Sequence, residues 1–192
     1  MPFKQIKEWL EKEKSLGSSN PDRFVLATTS KNAVPHSRIV AIREIDDKSI
    51  LFFTQGGTRK VKEMNENPLA SATLWLPLQQ REVVMDGTIE ALNMNENEHY
   101  WKTLPRESQL KFLAYAGTSG QAIDSINLLN DKHKSLANQY QNTEIPMNAK
   151  LYCGYRLVPE IIYFYTLGVE SFSEIIRFSL KNNRWQQQLL SP

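Results

Sequence analysis

The run Phe53-Thr54-Gln55-Gly56-Gly57-Thr58-Arg59-Lys60 carries the strongest chemical signal in the sequence. It reads as a strand end, a turn eased by two glycines, and a helix start with Thr58 as cap. The first amides of a helix lack internal partners and favour an anion. Arg59 and Lys60 add two cations at the same place, which suits a phosphate dianion. The plainer alternative is a solvated helix start with two basic residues. A second candidate is Ser37-Arg38-Ile39-Val40-Ala41-Ile42-Arg43. An arginine within an apolar strand is costly unless it meets an anionic partner. Strict alternation sends Arg38 and Arg43 to opposite faces, because their separation is odd. Both serve one site only if the strand twists or bulges, or if two subunits share it; otherwise Arg43 is an edge-strand surface residue. Arg177, flanked by Ile175, Ile176 and Phe178, raises the same question as Arg38. The aromatic run Ile161-Ile162-Tyr163-Phe164-Tyr165 is mostly core material, with one ring to spare for covering a planar ligand.

Other chemistries find no support. No Gly-x-Ser-x-Gly elbow, no P-loop and no Gly-x-Gly-x-x-Gly after a strand is present. Three scattered histidines and one cysteine make no zinc-ligand spacing, so no metal is expected. His133 falls on the 3-4-3-4 row Ile126, Leu129, His133, Leu136, Tyr140 and reads as a partly buried core or interface residue. Asp46 and Asp47 lie in a turn, where solvation explains them. A net charge of +2 is too small a field to argue for nucleic acid, so any anion site must be local. Cys153 stands alone, which excludes an intrachain disulfide and fits a reducing cytoplasm. The N-terminus lacks the apolar core of a signal peptide, and no apolar run reaches membrane-span length. These features predict a soluble, cytoplasmic protein.

The elements that must position these residues follow from periodicity. A chain of 192 residues suits one well-cored domain, 1–192. Phe3, Ile6 and Leu10 share a helical face with Gly17 as stop, predicting a helix within 1–17 packed on the body as a flap. Strands are predicted at 24–29, 37–45, 50–54, 70–76 and 81–92, with a short helix over 58–64. The middle, 94–141, reads as a helical insertion: a helix over 96–103, one started by Pro105, and a longer one capped by Ser119. Strands return at 151–157, 160–165, 175–180 and 184–190, with Pro159 expected to interrupt pairing between the first two. The order meander, helices, meander predicts a β-rich α+β fold, an antiparallel barrel closed by its two ends with flanking helices.

Arg38-Ile39-Val40, then Phe53-Thr54, then Thr58-Arg59-Lys60 resemble, in order and spacing, the FMN-binding run of the pyridoxine/pyridoxamine 5′-phosphate oxidase family. The likeness continues through Tyr100, Pro105-Arg106-Glu107-Ser108-Gln109, Gly154-Tyr155-Arg156, and Arg177-Phe178 to the end, covering nearly the whole chain from Pro21. The resemblance implies an FMN-binding split β-barrel, a homodimer, and FMN held between subunits. It implies that Arg38, Arg59, Lys60 and the Thr118-Ser119 pair bind the FMN phosphate and ribityl chain, with Thr58 at the same helix start. Backbone of Ile39, Val40, Ala41 and Ile42, with Phe53 and Thr54, would line the flavin. Tyr165 stands where the family has an aromatic residue, usually Trp, and Arg177 where it has an FMN-contacting arginine. Glu82 falls where a glutamine normally meets the flavin.

The substrate side matches less fully. Tyr100 and Ser108 agree with residues that hold the substrate phosphate, whereas Leu104 occupies an arginine's position. Arg43 replaces a lysine, keeping the charge with different geometry. The family's Arg-x-His element has no counterpart, because 166–176 contains neither residue. Losing a charged phosphate contact costs about 1.5–3 kcal/mol. Three readings follow from the resemblance. The first is an FMN-dependent oxidase of pyridoxine or pyridoxamine 5′-phosphate, passing hydride to flavin N5 with reoxidation by dioxygen. The second is an FMN-dependent oxidoreductase on another ring compound, as in the phenazine-biosynthesis relatives. The third is a non-catalytic FMN-binding protein.

Overall fold

A computed structural model describes residues 1–168 and 170–192. Its strands are β1 (Arg23–Thr29), β2 (Pro35–Ala41), β3 (Glu44–Ile45), β4 (Ile50–Gln55), β5 (Leu69–Leu76), β6 (Arg81–Ala91), β7 (Tyr152–Thr166), β8 (Glu174–Lys181) and β9 (Arg184–Leu190). Its helices are α1 (Pro2–Ser15), α2 (Arg59–Glu66), α3 (Met94–Lys102), α4 (Arg106–Tyr115) and α5 (Asn127–Gln139), with a 3-10 turn at Ala116–Thr118. One sheet runs in the order β2-β1-β5-β6-β7-β4-β3, and β7 pairs onward with β8, which pairs with β9. The pairings β1–β2, β1–β5, β3–β4, β5–β6, β7–β8 and β8–β9 are antiparallel.

Two departures from the periodicity reading have clear causes. The strand expected over 37–45 ends at Ala41, because the chain changes partners there. The Ile42 amide bonds to Asp22 O at 2.8 Å, and the next amide, Arg43, bonds to Leu51 O at 2.7 Å. The interruption expected at Pro159 does not occur, and β7 runs unbroken through it. Facing it on β6 is Gly87, where a Cβ would lie 2.1 Å from Val158 O and 2.6 Å from Pro159 Cα. A side chain is missing where the proline's backbone presses closest, so the strand continues.

The chain forms two compact units. The first comprises Met1–Phe52, Glu63–Glu90 and Tyr155–Pro192. Its core is the inner face of the sheet: Phe24, Leu26, Phe52, Leu74, Met85, Leu157, Ile162 and Phe164 are all buried. Helix α1 is more than a flap on this unit. Phe3 and Ile6 are buried, Trp9 meets Phe164 edge-on at 5.0 Å, and Arg81 lies over the Trp9 ring at 4.5 Å. Glu13, fully buried, accepts from the Leu78 amide at 3.0 Å and from Gln79 Nε2 at 3.1 Å, clamping the β5–β6 turn. Gly17 ends the helix with φ +102°, a left-handed backbone that suits glycine.

The second unit comprises Phe53–Lys62 and Ala91–Gly154. Asn93 and Glu96 form a capping box at the start of α3. The core is Trp101, Leu110, Phe112, Ala116, Ile145 and Tyr152, and Trp101 Nε1 donates to Ile145 O at 2.8 Å. Helix α5 starts after Ser125, whose hydroxyl accepts from the Asn127 amide at 3.1 Å. Ser119 therefore does not cap it and instead closes the 3-10 turn. His133 on α5 pairs with Glu107 on α4 at 3.1 Å, the contact role its helical row predicted. Gly154 has no room for a side chain, since a Cβ would approach Leu92 and Phe53 to 2.6 Å.

Candidate functional site

In the first unit the alternation of β2 points His36, Arg38 and Val40 inward and exposes Ser37, Ile39 and Ala41. Arg38 lies opposite Leu26, and His36 opposite Thr28. The Arg38 guanidinium donates to Leu26 O at 3.2 Å, to Thr28 Oγ1 at 2.6 Å and to Glu63 Oε2 at 3.2 Å. Thr28 Oγ1 in turn donates to Glu63 Oε2 at 2.5 Å, and His36 Nδ1 lies 2.6 Å from Glu63 Oε1. Burial alone would push the Glu63 carboxyl up. The hydrogen bonds from Thr28 and Arg38 and the attraction of His36 outweigh it and hold Glu63 below the usual carboxylate range. The anion that an arginine in an apolar strand needs is thus supplied from within the chain. Of the five N–H groups on the guanidinium, these three bonds leave two for a further acceptor.

Arg43 is exposed, at the break between β2 and β3. The parity argument that set it against Arg38 fails for that reason, since no single strand joins them. β2 is also the terminal strand of the sheet order, so its outer backbone edge meets no other strand among the described residues. Glu82 pairs with Trp75, and Val25 with both Ile39 and Thr73, which together build the outer face of this part of the sheet. That face exposes Ile39 at 71%, Trp75 at 48% and Val25 at 40%, an unusual apolar surface for an isolated sheet.

At the far end of the same unit, Arg177 on β8 lies opposite Tyr163 and Gln188. One Nη donates to the Gln188 side chain, while the buried Nε–H has no acceptor among the described residues. Tyr165 Oη donates to Ser173 Oγ at 2.9 Å, and the Gly168 amide donates to the same oxygen at 3.2 Å. Ser173 therefore ties Tyr165 and Gly168 together.

In the second unit, the turn before α2 shows why both of its residues 56 and 57 are glycine. A Cβ on Gly56 would lie 1.8 Å from Lys150 O, and Gly57 has φ +78°. The Thr58 carbonyl accepts the first helical bonds, from the Val61 and Lys62 amides. Its hydroxyl, however, donates to Gln55 O at 2.8 Å, so it does not act as the expected side-chain cap. Arg59 is exposed and Lys60 half-buried. Ser119 is brought to this turn: its hydroxyl bonds to Gln55 Oε1 at 3.3 Å, and Gln55 Nε2 donates to Tyr115 Oη at 3.0 Å. Burial pushes the Tyr115 phenol up, and the Gln55 bond only partly offsets this. Thr118 turns its hydroxyl to Tyr115 O at 3.3 Å. Phe53 stacks on Tyr152 at 4.7 Å and carries Tyr100 at 5.3 Å, and Thr54 is buried. Ser108 is exposed in the first turn of α4, and Leu104 lines a cleft of about 640 Å³ with Lys102, Arg106 and Met147.

The family model described as pyridoxamine 5′-phosphate oxidase matches residues 4–134. A pyridoxine/pyridoxamine 5′-phosphate oxidase of Alteromonas mediterranea is 31% identical over 192 residues, all of this chain and 89% of that relative. The chain belongs to the pyridoxamine 5′-phosphate oxidase family. That family is one of FMN-associated oxidoreductases, as the sequence resemblance implied. The enzyme of the same name from Aliarcobacter butzleri is also 31% identical, over 193 residues, covering all of this chain and 89% of its own. Among solved structures, PhzG from Burkholderia lata 383 in complex with tetrahydrophenazine-1-carboxylic acid superposes with a TM-score of 0.87. Its identity is 23%, over 100% of this chain and 92% of that one. A pyridoxamine 5′-phosphate oxidase-related, FMN-binding protein from Nostoc punctiforme gives 0.78 at 16% identity, over 98% and 96%. The fold is accordingly the antiparallel split β-barrel of this family, β-rich with flanking helices.

Three residues of the polar cluster, Thr28, Glu63 and His36, escaped the sequence reading. The available signal was positional: Glu63 lies between Val61 and Met64, both buried, on the inward side of α2. Among the described residues no group of His, Cys, Asp and Glu could hold a metal ion, and no helix is long and apolar enough to cross a membrane.

Proposed function

We propose that this chain binds FMN and acts as an FMN-dependent oxidoreductase on a ring-bearing substrate. Arg38, Arg59, Lys60, Thr58 and the Thr118-Ser119 pair take the phosphate and ribityl chain. Ile39 to Ile42, Phe53, Thr54, Glu82, Tyr165 and Arg177 surround the ring. The observation that carries this reading is the orphaned Nε–H of Arg177, a buried donor that lacks an acceptor. Such a group costs about 1–3 kcal/mol and calls for an explanation such as a ligand. The donors left on Arg38 and the open backbone edge of β2 support the same reading. FMN held by these residues would supply hydride-accepting chemistry, with dioxygen as the oxidant in an oxidase. The chain's own part is to hold the phosphate with fixed cations, to present backbone N–H and C=O groups to the ring, and to exclude water with Phe53 and its stacked neighbours.

For the substrate, an oxidase acting on pyridoxine or pyridoxamine 5′-phosphate is favoured by the named relatives, with Tyr100, Ser108 and Arg43 toward its phosphate. A different ring compound is favoured by Leu104 and by Ser173, whose hydroxyl is already committed to Tyr165 and Gly168. The apolar outer face of Val25, Ile39 and Trp75 supports a homodimer. The test is direct. Purified protein should show flavin absorption, elute as a dimer in light-scattering chromatography, and release hydrogen peroxide with pyridoxamine 5′-phosphate. A flavin-loaded protein that releases none at millimolar substrate directs the search to other ring compounds. A protein that takes up no FMN defeats the proposal.

A further inference from the structure

We propose that Glu63 is an internal counter-anion for Arg38 that weakens the hold on a cofactor phosphate, so that flavins with and without that phosphate bind more nearly alike. The inference rests on the FMN reading above and concerns how strongly the phosphate is gripped. Glu63 is 3% exposed, Thr28 and Arg38 from two strands donate to one oxygen of its carboxylate, and the His36 ring nitrogen lies 2.6 Å from the other. A group held this way has little freedom to swing aside when another anion arrives. The donors remaining on Arg38 are thus offered to a phosphate with a fixed negative charge alongside. Burial removes the water that would otherwise screen that charge.

The arrangement has an evident structural cause. Without Glu63, the half-buried guanidinium of Arg38 would lack this carboxylate partner before any cofactor bound. The carboxylate that settles β2 against α2 therefore opposes the dianion that Arg38 would otherwise receive at full strength.

The experiment measures dissociation constants of the full-length, flavin-stripped protein for FMN and for riboflavin by flavin fluorescence. The riboflavin-to-FMN ratio isolates what the phosphate contributes. Glu63→Gln keeps the shape and removes the charge, and should raise that ratio at least tenfold, which is about 1.4 kcal/mol. Thr28→Val disturbs the same cluster without changing its charge and should leave the ratio within twofold. An unchanged or lowered ratio in a folded Glu63→Gln protein overturns the inference, as does an equal rise in Thr28→Val. Should Glu63→Gln not fold, Glu63→Asp withdraws the charge by one methylene and must raise the ratio at least threefold; no rise there also overturns it. If the unaltered protein binds neither flavin, the cofactor reading falls and takes this inference with it. That result is distinguishable, because no ratio then exists to compare.

Discussion

Arg38 and Arg177 occupy similar places, each on an apolar strand of the first unit, yet the protein treats them oppositely. Arg38 is answered from within by Glu63, Thr28 and the Leu26 carbonyl. Arg177 meets the neutral Gln188 amide, and among the described residues its Nε–H finds no hydrogen-bond acceptor. A balanced arginine is part of the fold, and removing its partner should harm the fold. An unbalanced one is a cost the fold bears, and removing it should help the empty protein while harming ligand binding.

The largest expected effect is therefore on the balanced side. Glu63→Ala leaves the half-buried Arg38 without its carboxylate and should destabilise the protein by about 2–4 kcal/mol in urea denaturation. A loss under about 1 kcal/mol would mean the cluster is better solvated than its burial indicates. Next comes Arg177→Met, which removes the orphaned donor and should stabilise flavin-free protein by about 1–2 kcal/mol. The same variant should weaken FMN binding about tenfold or more, and a variant that loses stability instead would erase the contrast. Third is the pH response. Glu63 has a lowered native pKa, so its contribution is fully present above the unfolded carboxylate value of about 4.3. It is lost as pH falls through the lower native value. Stability of the unaltered protein should drop through that acid range, and the Glu63→Gln protein should show a flatter curve. The smallest effect is Tyr165→Phe, which frees Ser173 from one donor and should cost about 0.5–1.5 kcal/mol by thermal melting.

Much of this architecture was readable from periodicity because alternation and turn chemistry are local. β1, β5, β8 and β9 lie within a residue or so of their predicted spans. The Asn182-Asn183 turn adopts φ +49° and +59°, the left-handed pair a tight hairpin needs. What escaped was decided by distant residues. Pro159 stays in β7 because of Gly87, more than seventy residues earlier, and β2 stops at Ala41 because Leu51 claims the Arg43 amide. Ser119 looked like a cap but serves the Gln55 turn instead. The need for an anion at Arg38 was legible in the sequence, but its source was not. Glu63 sits in the charged stretch Lys60-Val61-Lys62-Glu63, which resembles a solvated helix face until β2 is laid against it.

The turn at Gly56 holds a ready-made reporter. The Cys153 sulfur lies 3.3 Å from where a Gly56 side chain would begin, and burial pushes its thiol up. At neutral pH the group is protonated and slow toward alkylating agents. Because it is the chain's sole cysteine, its labelling rate would time each opening of the loop that leads into α2, with no engineered probe required.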